Sequence, residues 1–173
     1  FAGIAHKSST GLRKMISAHA PELLETHSWE ELYKEKQAIY DILLEKGGLA
    51  LMPGVENVLE AVQSAHIPHA VVTNSTFKQI SLIRKQLPVL NTILHWITRE
   101  DYHHPKPAPD AYLKAREIIG ASDHMLGFED ALRGIRALEK ASITPVLVCS
   151  PSHPQMEEVR EGSLRFYSSF LSL

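Results

Sequence analysis

Three short apolar runs in this chain end in residues whose types could share one piece of chemistry. Ala70-Val71-Val72 ends in Thr73-Asn74-Ser75. Ile93 to Ile97 leads to His104-Pro105-Lys106-Pro107-Ala108-Pro109-Asp110. Leu126-Gly127-Phe128 ends in Glu129-Asp130. A threonine hydroxyl with neighbouring backbone N–H groups can donate to phosphoryl oxygens, and a lysine ammonium neutralises their charge as a compact point charge. Adjacent carboxylates are hard oxygen ligands suited to Mg²⁺, which binds through one or two carboxylates plus phosphate and water. Thr73, Lys106, Glu129 and Asp130 therefore form a set for a phosphate ester and its cation, provided the three run ends meet.

The elements that must position them alternate. Pro53-Gly54 opens a helix with Val55, Val58, Leu59 and Val62 on one side. Phe77, Ile80, Ile83 and Leu87 mark a second amphipathic helix after Ala70–Val72. Helices are expected from about Pro109 to Ile119 and through Leu132, Ile135 and Leu138. The apolar runs Ile93–Ile97, Met125–Phe128 and Pro145–Cys149 read as strands. A weak helix near Met156–Val159 and a strand around Leu164–Tyr167 complete the tail. Short continuous apolar runs between helices predict a parallel sheet covered on both faces, where ligands gather at the carboxyl ends of the strands.

Upstream the pattern is helical. Leu12, Met15 and Ile16 share a face after Ser8-Ser9-Thr10, and the segment stops before Pro21. Ser28-Trp29-Glu30-Glu31 is a capping box, followed at helical spacing by Leu32, Tyr33, Ile39, Tyr40 and Leu43, with Gly47-Gly48 as the stop. The expected organisation is an α/β chain, with a helical segment over 1–50 and a Rossmann-like α/β core over 51–173.

Composition excludes several classes. Eighteen basic against 20 acidic side chains give a net charge of −2, so nothing electrostatic favours nucleic acid or an anionic membrane as a partner. The longest apolar run is far short of a spanning helix. Cys149 is the sole cysteine, which excludes an internal disulfide and suits a reducing, cytoplasmic location. Residue 1 is Phe, and Phe1-Ala2-Gly3-Ile4-Ala5 has neither the length nor the basic region of a signal peptide, so a processed or partial chain is expected.

The strand-end threonine, the Pro105-Lys106-Pro107-Ala108-Pro109-Asp110 loop and Gly127-Phe128-Glu129-Asp130, in this order, resemble motifs of the haloacid dehalogenase (HAD) superfamily. The resemblance is to its phosphatase and β-phosphoglucomutase branch, which carries a helical cap after the first strand, and Leu51-Met52-Pro53-Gly54-Val55 matches the re-entry from cap to core. It implies that Thr73 and Asn74 bind the phosphoryl group, that Lys106 steadies it beside the nucleophile, and that Glu129 with Asp130 holds Mg²⁺. The implied activity is a phosphatase of a small phosphorylated metabolite. A phosphomutase, or a truncated relative that binds phosphate or a partner without catalysis, is the alternative.

The sequence departs from that pattern in three places. The family's nucleophile is the first Asp of an Asp-x-Asp motif on the first strand, and the second Asp serves as general acid and base. These 173 residues contain no Asp-x-Asp. The expectation is that the motif lies upstream, on a segment on the order of 40 residues long, and that this chain alone is inactive. Ala131 stands where a small hydroxylated residue is usual. Ala141-Ser142 must turn without the usual glycine.

Plainer roles compete for each residue. Thr73 could be a helix N-cap, Lys106 an exposed loop residue, and Glu129-Asp130 a solvated strand end. His95, His103 and His104 lack the ligand spacing and thiolate company of a zinc site, and no Gly-x-Ser-x-Gly elbow supports a serine hydrolase. His6 and Lys7 fall where family caps present a substrate-selecting loop, and surface solvation explains them as well. Oligomeric state and specific substrate are not written in the sequence.

Overall fold

Capping chemistry sets the helix boundaries in the first part of the chain. In the computed structural model, which describes residues 9–120, 123–153, 156–159 and 164–173, three helices come first: α1 (Ser9–His19), α2 (Glu22–Thr26) and α3 (Trp29–Lys46). The Ser28 hydroxyl accepts from the Glu31 N–H at 3.2 Å, and the Glu31 carboxylate accepts from the Ser28 N–H at 2.8 Å. Gly47, at φ 84°, ends α3 as expected. The five-residue α2 was not anticipated. Pro21 leads into it at φ −59°, a value that already suits a helix start. His6, Lys7 and Ser8 lie outside the described residues.

The chain divides into two compact units, residues 1–48 and 49–173. The second opens with α4 (Val55–Ser64). Gly54 before it sits at φ 88°, and a Cβ there would lie 2.5 Å from the Leu171 nitrogen and the Phe170 carbonyl carbon. Only glycine allows that approach, which Phe170 N–H reinforces by donating to Pro53 O at 3.0 Å.

Helices and strands then alternate: β1 (Ala70–Val72), α5 (Phe77–Gln86), β2 (His95–Ile97), α6 (Asp110–Ile119), β3 (Leu126–Glu129), α7 (Leu132–Lys140), β4 (Thr144–Val148), α8 (Met156–Val159) and β5 (Arg165–Tyr167). All strand pairings are parallel. β1 pairs with β2 with Val72 opposite Ile97, and β3, β4 and β5 pair in that order with Glu129 opposite Leu147. Among the described residues the strands thus form two parallel sheets, β1-β2 and β3-β4-β5. β2 starts two residues later than expected because a 3₁₀ turn over Pro88–Thr92 claims Ile93, whose N–H donates to Leu90 O.

β4 carries the deepest core. Val146, Leu147 and Val148 are at most 2% exposed, as expected for a strand covered on both faces. β3 differs. α7 lies so close to Gly127 that a Cβ there would sit 2.1 Å from Leu138 Cδ2, while Leu126 (57%) and Phe128 (37%) stay exposed. Two-sided cover therefore holds for β4 and not for β3. Between α7 and β4 the chain turns through Ser142 at φ 56°, the left-handed position the sequence leaves without a glycine.

Candidate active site

The residues singled out from the sequence arrive at the carboxyl ends of β1 and β3, and Lys106 joins the two. Its ammonium donates to Val72 O at 2.9 Å and to Glu129 Oε1 at 2.5 Å. Lys106 is 8% exposed, so the plainer role of a solvated loop lysine does not describe it. A buried ammonium needs such partners, since an unpaired charge in low dielectric is costly. Two of its three N–H donors are used by these bonds.

The loop that delivers it is fastened at both ends. Asp110 Oδ2 accepts from the backbone N–H of His104 at 3.1 Å and lies 2.9 Å from His104 Nδ1. The His104 N–H, then the imidazole, holds the Asp110 carboxyl below its ordinary pKa. Three prolines at 105, 107 and 109 restrict the backbone between these anchors, and the Lys106–Pro107 peptide is cis.

Thr73 follows β1, its N–H donating to Ile97 O at 2.9 Å. Its hydroxyl oxygen accepts from Ser75 N–H at 3.0 Å, a bond that does not use the hydroxyl proton. The helix cap that Thr73 might have provided belongs instead to Thr76, whose side chain accepts from Gln79 N–H at 3.3 Å. Asn74 is held by Tyr102, whose hydroxyl is hydrogen-bonded to Asn74 Oδ1 (2.6 Å) and Thr73 O (2.9 Å). Burial pushes the Tyr102 phenol up to about 12, so it stays protonated at neutral pH.

Glu129, the last residue of β3, is more deeply engaged than a solvated strand end. Both Lys106 and the Tyr112 hydroxyl hydrogen-bond its Oε1. Its carboxylate lies against α7 at Gly134, where a Cβ would come within 2.0 Å of the carboxyl carbon. Burial first, and the Glu129 charge second, raises the Tyr112 phenol well above its ordinary pKa. Asp130 follows directly and is half-buried. Its charge reaches both Tyr112 and Arg133; burial lowers the Arg133 pKa, and Asp130 and then Glu129 counter that.

Lys106 thus ties Glu129 to Val72, the residue directly before Thr73 and Asn74, and Asp130 follows Glu129 in the chain. Tyr102, Tyr112 and Gly134 were not found from the sequence. Tyr112 reads as part of an apolar helix face; its only signal is a phenol two residues beyond Asp110. The donor set suits Mg²⁺ in kind, being hard carboxylate oxygen at a strand end. Among the described residues no three His, Cys, Asp or Glu side chains converge on a metal position.

The sequence model of haloacid dehalogenase-like hydrolases matches residues 3–142. The chain belongs to this family. The haloacid dehalogenase-like chain is 31% identical over 142 residues to a β-phosphoglucomutase of Mycobacterium bovis, an alignment covering 76% of the chain and 54% of that protein. It is 29% identical over 117 residues to hexitol phosphatase A of Escherichia coli, covering 66% and 54%. It spans about half the length of these curated relatives. A HAD hydrolase of family IA, variant 3, from Entamoeba histolytica superposes with a TM-score of 0.74 at 24% identity, covering 96% of the chain and 80% of that structure. The fold is the Rossmann-like α/β fold of this superfamily. Among the described residues no helix is long and apolar enough to cross a membrane.

Proposed function

We propose that the chain belongs to a Mg²⁺-dependent phosphatase acting on a small phosphorylated metabolite. The observation that carries this reading is the buried Lys106 ammonium, bonded to Val72 O and Glu129 where β1 and β3 end. In this reading Lys106 and the Thr73 hydroxyl neutralise and bind phosphoryl oxygens, and the Asn74 side chain adds a contact. A carboxylate of an aspartate outside these 173 residues attacks phosphorus, the ester P–O bond breaks as a general acid protonates the leaving oxygen to the alcohol, and water then hydrolyses the aspartyl-phosphate to inorganic phosphate and the free aspartate. Asp130, with Glu129, would hold Mg²⁺, whose charge stabilises the phosphoryl oxygens when it is bound. Residues 1–50 are taken as the cap segment and 51–173 as the catalytic core, in a cytoplasmic enzyme with no nucleic-acid or membrane partner.

The substrate class rests on relatives named for phosphorylated hexoses and hexitols. Phosphomutase is the second reading, favoured by the 31% identity to the mutase. The test is a panel of sugar and polyol phosphates incubated with the full-length protein. Release of inorganic phosphate supports the phosphatase, and isomerised sugar phosphate without net release supports the mutase. Absence of both, with phosphate still bound, supports a non-catalytic relative and overturns the proposal.

A further inference from the structure

The Tyr112 side chain touches both charged members of the buried pair. Its hydroxyl donates to Glu129 Oε1, and Lys106 Nζ lies 4.8 Å from its ring centroid. Tyr112 is 7% exposed, and the Lys106 and Glu129 side chains are 7% and 9% exposed. A lysine side chain has four rotatable torsions, and one carboxylate contact fixes a distance without fixing a direction. Val72 O, Glu129 Oε1 and the π face together define a position for the ammonium. The Glu129 carboxylate can serve as that reference only if it is itself immobile. The Tyr112 hydroxyl holds it from α6, and the notch at Gly134 holds it from α7.

We propose that Tyr112 is a positioning residue of this site, its hydroxyl and ring holding the Glu129–Lys106 pair in one geometry so that the remaining Lys106 N–H meets a phosphoryl oxygen. This inference rests on the phosphoryl-transfer reading of Lys106. Tyr112 itself forms no bond to substrate. A displaced ammonium stabilises the charge that develops in the transition state less well while ground-state binding changes little, so the effect belongs in kcat.

The experiment compares Tyr112→Phe with wild type in the full-length protein, using para-nitrophenyl phosphate. The expected result is a kcat at least tenfold lower with KM within twofold. Gly134→Ala, which displaces Glu129 from the opposite side, is expected to lower kcat comparably. A second measurement needs no turnover. Acetylation by acetic anhydride, read by mass spectrometry, should modify wild-type Lys106 at least tenfold more slowly than the 41%-exposed Lys114. Tyr112→Phe should at least triple the Lys106 rate. Turnover and labelling both unchanged in Tyr112→Phe, or a change in KM alone, would overturn the role of Tyr112. Lys106→Ala separates the two claims. If it abolishes turnover while Tyr112→Phe leaves kcat and Lys106 labelling at wild-type values, only the tyrosine inference fails; if it leaves turnover intact, the reading of the whole site fails.

Discussion

Replacing Gly134 with alanine sets two effects of opposite sign against each other. Gly134 lies within α7, where alanine is intrinsically favoured by about 1 kcal/mol. Helix propensity alone therefore predicts a stabilised protein. The new Cβ, however, would stand 2.1 Å from Glu129 Oε2 and 2.5 Å from Oε1, against an ordinary contact of 3.4 Å or more, so the carboxylate must retreat by about 1 Å or more. A free glutamate would simply rotate away. This one is held by Lys106 and Tyr112 in a buried position. Removing one partner of a buried pair costs about 3–5 kcal/mol, and displacing it should cost roughly half to three-quarters of that. The net expectation is destabilisation of about 0.5–3 kcal/mol, a fall in melting temperature of roughly 2–12 °C for a unit of this size. Differential scanning calorimetry reads it. A Gly134→Ala protein that melts at or above the wild-type temperature would show that the carboxylate is not pinned, and the argument would fail.

Further expectations test neighbouring links. Ser142→Gly should stabilise by about 1 kcal/mol, because serine at φ 56° bears the left-handed strain that glycine avoids; a lower midpoint in urea would contradict this. Thr76→Ala should cost about 1 kcal/mol as a lost N-cap, while Thr73→Ala should cost less stability and more phosphate affinity; equal stability losses would return Thr73 to a structural role. The depressed Asp110 carboxyl favours the fold above its ordinary value of 3.8, and that contribution disappears as pH falls through the lower folded value. Urea midpoints measured from pH 6 to pH 3 should thus fall less steeply in Asp110→Asn than in wild type, and parallel curves would refute the loop-fastening role.

What the sequence made legible was mostly local. The capping box at Ser28 and Glu31 and the stop at Gly47 are contained within a few residues, and they govern α3 directly. The strand ends at Thr73 and Glu129 were visible because an apolar run gives way abruptly to polar groups. α2 escaped because five residues do not establish a period, and Pro21 reads as a stop as readily as a start. The contacts that define the site are long-range. Tyr102 reaches Asn74 across 28 positions, and Tyr112 reaches Glu129 across 17. No pattern of spacing announces such pairs, and a phenol on an apolar helix face is indistinguishable from an ordinary core residue. The exposure of Leu126 and Phe128 was likewise not visible: alternation along β3 emerges only once α7 is seen to occupy one face.

The central claim is that Thr73, Asn74 and Lys106 receive one tetrahedral anion beside Asp130. The most direct measurement is a crystal structure of the full-length protein, soaked with tungstate as a phosphate mimic. The account predicts an oxyanion within about 3 Å of Lys106 Nζ and the Thr73 hydroxyl, lost in Lys106→Ala. Tungstate bound elsewhere, or bound at the same place and occupancy without the lysine, would contradict it.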